Sequence, residues 1–200
     1  LDCFMINNSP IPVNQLNYSN HRDLTENKWP VANFLKGGGD HLYRNDNGHF
    51  TELTKEAGIH GSLISFGLGV SVGDINGYGY PDVFVSNDSY ERDYLYINQK
   101  NGTFKDELED CLQHTSFSSM GADIADINND GYPDLFTTDM LPLNDYRLKT
   151  TGAFDNIDLF NAKLQSGFYY QYTQNCLQLN NKNGMFTDIA NYSGVSATGW

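Results

Sequence analysis

The chain has 200 residues, of which 12 are basic and 25 acidic, so its formal net charge at neutral pH is −13. This negative charge argues against nucleic acid or an anionic membrane as the partner, because both attract basic patches. With 39% hydrophobic and 14% aromatic residues, the chain has enough apolar side chains for a core. No apolar run approaches the roughly 18 residues of a membrane span.

The first predicted strand, at 1–8, belongs to a repeat that returns at 81–88 and 133–140. Each copy has an aspartate in its second position, followed by a short run of mostly apolar residues that favours a β-strand. Further along, an Asn-Gly pair between two short apolar runs predicts a hairpin in each copy, because this pair suits tight turns. The pairs are at 47–48, 101–102 and 183–184.

A loop between two strands of the repeat is the most specific motif of the chain. At 126–134 it reads D-I-N-N-D-G-Y-P-D, with oxygen-bearing side chains at positions 1, 3, 5 and 9 and a glycine at position 6. Calcium takes six to eight oxygen ligands, so alternate side chains pointing inward form a suitable cage, and the glycine permits the sharp turn. At 74–82 the motif reads D-I-N-G-Y-G-Y-P-D, with Tyr78 at the position of Asp130.

Two other interpretations of these loops have to be weighed, and the sequence excludes the first. An EF-hand would need a glutamate at position 12 and flanking helices, but Thr137 and Val85 stand there and the flanking runs favour strands. The other is an Asn- and Gly-rich hairpin turn without metal. The D-x-N-x-D-G spacing favours calcium at 126–134, whereas at 74–82 Tyr78 leaves both interpretations open.

Strand, loop, strand, connection, strand, Asn-Gly turn and strand make one four-stranded antiparallel unit, which is the blade of a β-propeller. The sequence therefore predicts an all-β chain whose residues 1–200 are part of one β-propeller domain. We expect a partial blade at 1–60, a blade at 61–112, a blade at 113–195 with an insertion at 140–174, and the start of a further blade at 196–200. Because a propeller has about four to eight blades, we expect it to be incomplete in this chain, with the remaining blades in the same or a partner chain.

The stretch at 121–136, together with N-G-T-F-K-D at 101–106, resembles FG-GAP and VCBS repeats, and the combination is most similar to VCBS-repeat proteins that carry an ASPIC/UnbV region. The resemblance implies an integrin-α-like propeller with calcium (Ca2+) in the loop between the first two strands of a blade. The ligands it implies are the side chains of Asp126, Asn128, Asp130 and Asp134 with the Tyr132 carbonyl, and the side chains of Asp74, Asn76 and Asp82 with the Tyr80 carbonyl. Tyr78 departs from the family pattern.

Two long insertions, at 9–40 and 140–174, interrupt the repeat. Connections in a four-stranded meander alternate between two faces, so both insertions are expected on the face opposite the metal loops. Both are rich in aromatic residues, and we take Trp29 and Tyr170 as candidate ligand-binding residues, because tryptophan and tyrosine dominate binding hot spots. Packing of these aromatic side chains onto the blades is the alternative.

The second insertion is also expected to contain a short helix. Ile157, Phe160 and Leu164 have helical spacing, and Gly167 is placed to end the helix. The cysteines are expected to be buried thiols rather than disulfide partners, because Cys3 and Cys176 occupy apolar positions of the repeat.

These features favour a non-catalytic, calcium-stabilised extracellular β-propeller that presents a binding face for a protein or glycan ligand. An exported or cell-surface location is expected because calcium is abundant outside cells. No catalytic residues can be assigned, since the chain has no H-E-x-x-H motif and its five histidines form no similar pair. The alternative is a propeller-fold polysaccharide lyase or hydrolase domain, which a cluster of histidine, tyrosine, arginine and acidic residues at the insertion face would favour.

Overall fold

The computed structural model of the protein describes residues 1–9, 11, 22, 28–29, 31–60, 62–88, 90–151 and 157–199. The strands in this part of the chain are β1 (Cys3–Met5), β2 (His41–Asp46), β3 (His49–Glu52), β4 (Gly67–Gly73), β5 (Asp82–Asn87), β6 (Tyr94–Asn98), β7 (Phe104–Asp106), β8 (Thr115–Ser116), β9 (Gly121–Ala125), β10 (Asp134–Thr138), β11 (Gln171–Tyr172), β12 (Cys176–Asn180) and β13 (Phe186–Asp188). The helices are α1 (Leu108–Cys111), α2 (Asp145–Thr151) and α3 (Ile157–Gln165), and a 3-10 turn covers Asn33–Leu35.

Two four-stranded antiparallel sheets form the centre of the molecule. The sheet ordered β4-β5-β6-β7 is called the first blade below, and the sheet ordered β9-β10-β12-β13 the second blade. Strand β5 is buried along its whole length, because its V-F-V sequence is apolar on both faces and strands pair with it on both sides. Strands β1, β2 and β3 form a third sheet. The predicted all-β fold of four-stranded propeller blades is confirmed.

The two blades meet along their first strands, β4 and β9, where small residues let the backbones approach. A Cβ atom added to Gly69 would lie 3.3 Å from the Cα atom of Gly121. The hydroxyl of Ser71 donates a hydrogen bond to the carbonyl of Ala122 over 2.6 Å. A larger side chain at Gly69 would therefore push the blades apart.

Apolar side chains from both blades form one core. Its buried members are Ile75, Phe84, Leu95, Ile97, Leu108, Cys111, Leu112, Leu135 and Phe186. Cys111 and Cys176 are buried free thiols as expected, but Cys3 is exposed and its predicted burial is wrong. In the described part of the chain, β1 lies at the edge of its sheet with only β2 beside it, so less of its surface is covered.

The loops that join the first two strands of each blade lie beside the Asn-Gly turns, as the repeat predicts. The side-chain amide of Asn180, next to the second blade's turn, donates to the carbonyl of Ile75 in the first blade's loop over 3.0 Å. A cleft of about 550 Å³ separates the two blades at this end. Its lining includes Asn76, Tyr78, Lys100, Tyr132 and Lys182.

The insertion at 140–174 contains α2, α3 and β11, and β11 pairs in parallel with β8. Helix α3 covers the residues predicted to be helical, and Gly167 follows it with a φ of +86°, the left-handed conformation typical of a helix end. No helix within the described residues combines the length and the apolar character that crossing a membrane requires. Much of the other insertion, namely residues 10, 12–21, 23–27 and 30, lies outside the described residues.

Candidate metal centre

The loop at 126–134 connects β9 to β10 and turns around the side chain of Asp126. Its Oδ1 accepts the backbone N–H of Asp130 at 3.0 Å, and its Oδ2 accepts that of Gly131 at 2.8 Å. Gly131 has a φ of +87°, a conformation that glycine adopts without steric cost. The first predicted calcium ligand is therefore also the residue that folds the loop.

Further backbone N–H groups position the other predicted side-chain ligands of this loop. Asn128 Oδ1 accepts the N–H of Asp130 at 3.0 Å, and Asp130 Oδ1 accepts the N–H of Tyr132 at 3.0 Å. Asp134, at the start of β10, is 2% exposed. It accepts one backbone N–H from within the loop at 3.1 Å and another from Asn180 of β12 at 2.8 Å.

The first blade repeats this arrangement with nearly the same distances. Asp74 accepts the backbone N–H groups of Tyr78 at 3.0 Å and Gly79 at 2.7 Å. Asn76 Oδ1 accepts the N–H of Tyr78 at 3.0 Å. Asp82 accepts a backbone N–H from the loop at 3.0 Å and another from β6 at 2.9 Å. The side chain of Tyr78, 66% exposed, replaces the fifth-position carboxylate.

A lysine from the neighbouring Asn-Gly turn contacts each loop, but it meets a different group in each. Lys182 Nζ lies 3.2 Å from Asp130 Oδ2. Lys100 Nζ lies 4.2 Å from the centre of the Tyr78 ring, which is a cation–π contact. The two lysines are equivalent in conformation, with φ values of 63° and 64°. Each therefore interacts with whatever side chain stands at the fifth loop position.

The pKa values of two loop carboxyls are shifted in opposite directions. Burial raises the pKa of Asp130, but hydrogen bonds from the Tyr132 N–H, the Asn128 amide and Lys182 outweigh it and hold the pKa below its usual range. For Asp82, burial is the largest cause and raises the pKa above its ordinary value, although three backbone N–H groups act to lower it.

The residues of the second blade's loop fit calcium in type and order, since three carboxylates and one amide supply hard oxygen ligands. Their oxygens are not yet gathered around one point. Among the described residues, the one group of His, Cys, Asp or Glu ligand atoms lying within 4.8 Å of one another is that of His114, Cys176 and Asp188. Lys182 and calcium would compete for the Asp130 carboxylate.

The two candidate ligand-binding aromatic residues have different surroundings. Trp29 is 6% exposed and packs in a cluster with Ile11, Leu63, Ile64, Tyr90 and Phe168. This burial agrees with the alternative interpretation, in which the aromatic side chains of the insertions pack onto the blades. Tyr170 is 44% exposed, and its ring centre lies 5.4 Å from that of Tyr169 and 6.3 Å from that of Phe160.

Sequence reasoning missed a buried group of ion pairs that includes Arg22 of the first insertion. Arg22 Nε lies 2.6 Å from Glu91 Oε1, and Arg92 Nη2 lies 2.8 Å from Asp106 Oδ2. Both guanidinium groups lie over the ring of Tyr94, at 5.5 and 5.9 Å from its centre. The charged run Glu91-Arg92-Asp93 between two buried strands was the signal that could have revealed it.

This group contains the residue types that the enzyme alternative requires, including His60, whose ring centre is 5.8 Å from that of Tyr94. However, Tyr94 and Glu91 are 0% exposed and Arg92 is 4% exposed. Groups that act on a polysaccharide must reach it, so burial favours a structural role for these side chains.

Comparison with known proteins supports the repeat assignment for the central part of the chain. Residues 74–137 match the family described as FG-GAP-like repeat. The chain is also similar to integrin alpha-6 of Gallus gallus, with 36% identity over 108 residues, which are 50% of this chain and 10% of that protein. The match thus covers about a tenth of the integrin subunit's length. The FG-GAP-like stretch contains both candidate calcium loops.

Proposed function

We propose that this chain is a calcium-stabilised part of an extracellular FG-GAP-type β-propeller, of the VCBS kind associated with ASPIC/UnbV regions, that presents a binding face for a protein or glycan. The observation that carries the proposal is the matching set of backbone hydrogen bonds in the two loops. Asp126 and Asp74 each accept two N–H groups from the fifth and sixth loop positions. A turn repeated in such detail, with acids at ligand positions, supports a metal-binding role.

In this proposal Asp126, Asn128, Asp130, Asp134 and the Tyr132 carbonyl hold calcium in the second blade. The equivalent ligands in the first blade are Asp74, Asn76, Asp82 and the Tyr80 carbonyl, and they bind more weakly. Calcium joins the end of each blade's first strand to the start of its second. Because calcium binds the folded form, it raises the free energy of unfolding by mass action.

Thermal unfolding with and without a calcium chelator tests this role. We expect chelation to lower the Tm of the wild-type protein, and Asp130→Ala to remove most of that calcium effect because it deletes a charged ligand. Tyr78→Ala is the matched control at the same loop position, and it should leave the calcium effect intact. Equal melting curves of the wild-type protein with and without chelator would rule the role out.

The binding face is proposed for the insertion side, where Tyr170 stands out as a half-exposed aromatic. The wild-type protein is first tested against an array of glycans and folded proteins to find one that it binds. Tyr170→Ala is then expected to weaken binding to that ligand by about 1–3 kcal/mol. The effect on Tm should be small, because the ring is only partly buried. Preserved affinity in the variant would contradict a contact role for Tyr170.

Trp29 provides the contrasting variant for the same measurement. Because its ring is packed among buried apolar side chains, we propose that it attaches the first insertion to the blades. Trp29→Ala is expected to cost about 3–5 kcal/mol of stability and to leave the affinity of the folded protein unchanged. If instead affinity falls without loss of Tm, Trp29 contacts the ligand.

A further inference from the structure

A second group of metal-ligating side chains lies in the second blade, at the far end of β12 from the Asn-Gly turn. Ligand atoms of His114, Cys176 and Asp188 all lie within 4.8 Å of one another. Gln178 is paired with Asp188 on the neighbouring strand, and Cys176 precedes Gln178 by two residues. Cys176 and Asp188 therefore project from the same face of the sheet, and His114 meets them from the segment before β8.

Contacts with neighbouring groups hold two of these side chains in place. Asp188 Oδ1 accepts two backbone N–H groups, at 3.0 and 2.9 Å, and its Oδ2 faces His114 Nε2 at 3.0 Å. The carbonyl of His114 accepts the side-chain amide of Gln178 at 3.1 Å, and its ring packs edge-on against Tyr172 at 5.3 Å between centres. Such outer contacts are typical of metal ligands, whose orientation they set.

Gln174 contacts the same carboxylate as His114. Its Nε2 lies 3.0 Å from Asp188 Oδ2 and 3.4 Å from His114 Nε2. When His114 Nε2 carries the proton, both side chains donate to Asp188 Oδ2. A divalent cation can replace these two donors if His114 Nε2 loses its proton and the Gln174 amide turns its oxygen inward. That rotation gives up the contact in which Gln174 Oε1 accepts the Asn191 amide at 3.4 Å.

The first blade shows how the same position is neutralised by a side chain. Asp106 is the counterpart of Asp188, since Tyr96 pairs with Asp106 as Gln178 pairs with Asp188. In the first blade, Arg92 Nη2 lies 2.8 Å from Asp106 Oδ2 and supplies a positive charge. The second blade has the neutral Gln174 at the position of Arg92, so its aspartate lacks that guanidinium.

We propose that His114, Cys176 and Asp188 bind one divalent transition-metal ion, with zinc favoured, and that the Gln174 amide oxygen supplies the fourth ligand. One nitrogen, one sulfur and two oxygen ligands suit tetrahedral zinc and are poor ligands for calcium, which takes oxygen alone. Cys176 binds as the thiolate and its proton is released to solvent. The ion takes the place that Arg92 holds in the first blade and ties β12 and β13 to the segment before β8.

Titration of the metal-free protein with Co2+ tests the site, because thiolate-bound tetrahedral Co2+ gives a sulfur-to-cobalt charge-transfer absorption. Excess calcium is present throughout to fill the oxygen-only loops. We expect saturation at one Co2+ per chain with this absorption, and loss of the absorption when Zn2+ is added. The loops have no sulfur ligand, so the result is independent of calcium binding there.

Two variants test the proposed ligands, and a third serves as a control. Cys176→Ser should abolish the charge-transfer absorption, whereas Cys111→Ser, which alters another buried thiol, should leave it unchanged. Gln174→Arg introduces the residue of the first blade and should lower Co2+ affinity by about tenfold or more, because the guanidinium pairs with Asp188. The Tm of each variant without transition metal reports whether it folds.

Absence of saturable Co2+ binding to the wild-type protein, or an absorption that survives Cys176→Ser, would overturn the proposal. If Cys176→Ser does not fold, His114→Gln decides the question, since the His114 side chain is partly exposed and its loss leaves the sulfur buried in place. Unchanged Co2+ affinity in a folded His114→Gln variant would then reject the site.

Discussion

The two blades have the same loop framework but differ at the one position that decides loop charge. Tyr78 and Asp130 both donate their backbone N–H to the first and third loop residues at 3.0 Å. The turn therefore forms whether or not the fifth residue has a carboxylate. The shape of the loop depends on the first and third residues and the glycine, so a change at the fifth residue can alter the charge of the loop without altering its shape.

A second difference between the blades lies deeper, where an acid in one is matched by an amide in the other. Asp93 Oδ1 accepts the backbone N–H of Asn87 at 2.8 Å in the first blade. In the second blade, Asn175 Oδ1 accepts the backbone N–H of Asp139 at 2.7 Å. The same hydrogen bond is therefore present in both blades. The carboxyl group is on the accepting residue in the first blade and on the donating residue in the second.

The largest effect is expected from Asp93→Asn, which makes the first blade resemble the second. Burial is the main cause that raises the pKa of Asp93 to about 7, against hydrogen bonds from Asn87 and Ser119. The unfolded chain loses this proton near pH 4, so between about pH 4 and 7 the folded state binds more protons and stability falls as pH rises. The slope is at most about 1.4 kcal/mol per pH unit, and Asp93→Asn should remove it.

Chemical denaturation at several pH values measures this slope. Asp40, whose pKa burial also raises to about 7, stays in the variant, so some fall in stability with pH should persist. Asp40→Asn is the matched control that removes the other buried acid. If Asp93→Asn has the same pH profile as the wild-type protein, the acid at 93 is not held protonated by the fold.

Much of the similarity between the two blades could be predicted from the sequence, because an internal repeat shows which residues occupy equivalent positions. The four-stranded antiparallel sheets followed from the Asn-Gly pairs and the aspartate repeat, and helix α3 followed from the spacing of Ile157, Phe160 and Leu164. Local signals of this kind act over a few residues, so the sequence alone contains them. The position of the loop that begins at Asp126, between two strands, could be predicted for the same reason.

Contacts between distant segments could not be predicted. Arg22 reaches Glu91 over 69 positions, and His114 reaches Asp188 over 74 positions, so a local pattern can mark one member of such a pair but cannot identify its partner. The roles of Trp29 and Cys3 depended on which surfaces other segments cover. Periodicity assigns an apolar residue to a face, but only the packed structure shows whether that face is buried.

The next largest effect is expected when the fifth loop residues are exchanged. Tyr78→Asp adds one anionic ligand to the first blade's loop, and calcium affinity there should rise roughly tenfold, or about 1.4 kcal/mol. Asp130→Tyr should lower the affinity of the second loop by a similar factor. Calorimetric titration of each variant resolves the two sites, and unequal Tm values without calcium would show that the exchange also changes the frame. A first-blade site unaffected by Tyr78→Asp would contradict the separation of shape from charge.

The smallest effect is expected at the lysines of the Asn-Gly turns. Lys182 lies 3.2 Å from an Asp130 oxygen and would compete with calcium for it, so Lys182→Gln should raise calcium affinity in the second blade about twofold. The effect is small because an exposed ion pair is screened by solvent. Lys100→Gln is the matched control, because Lys100 contacts the Tyr78 ring rather than a carboxylate.

In the Tyr78→Asp background, however, Lys100 gains a carboxylate to pair with, and Lys100→Gln should then raise calcium affinity in the first blade by the same factor. Calcium titrations of both lysine variants, with Tyr78 and with Tyr78→Asp, measure how the lysine effect depends on residue 78. If the Lys100→Gln effect is the same with either residue, the lysines act through overall charge and do not compete for the fifth ligand.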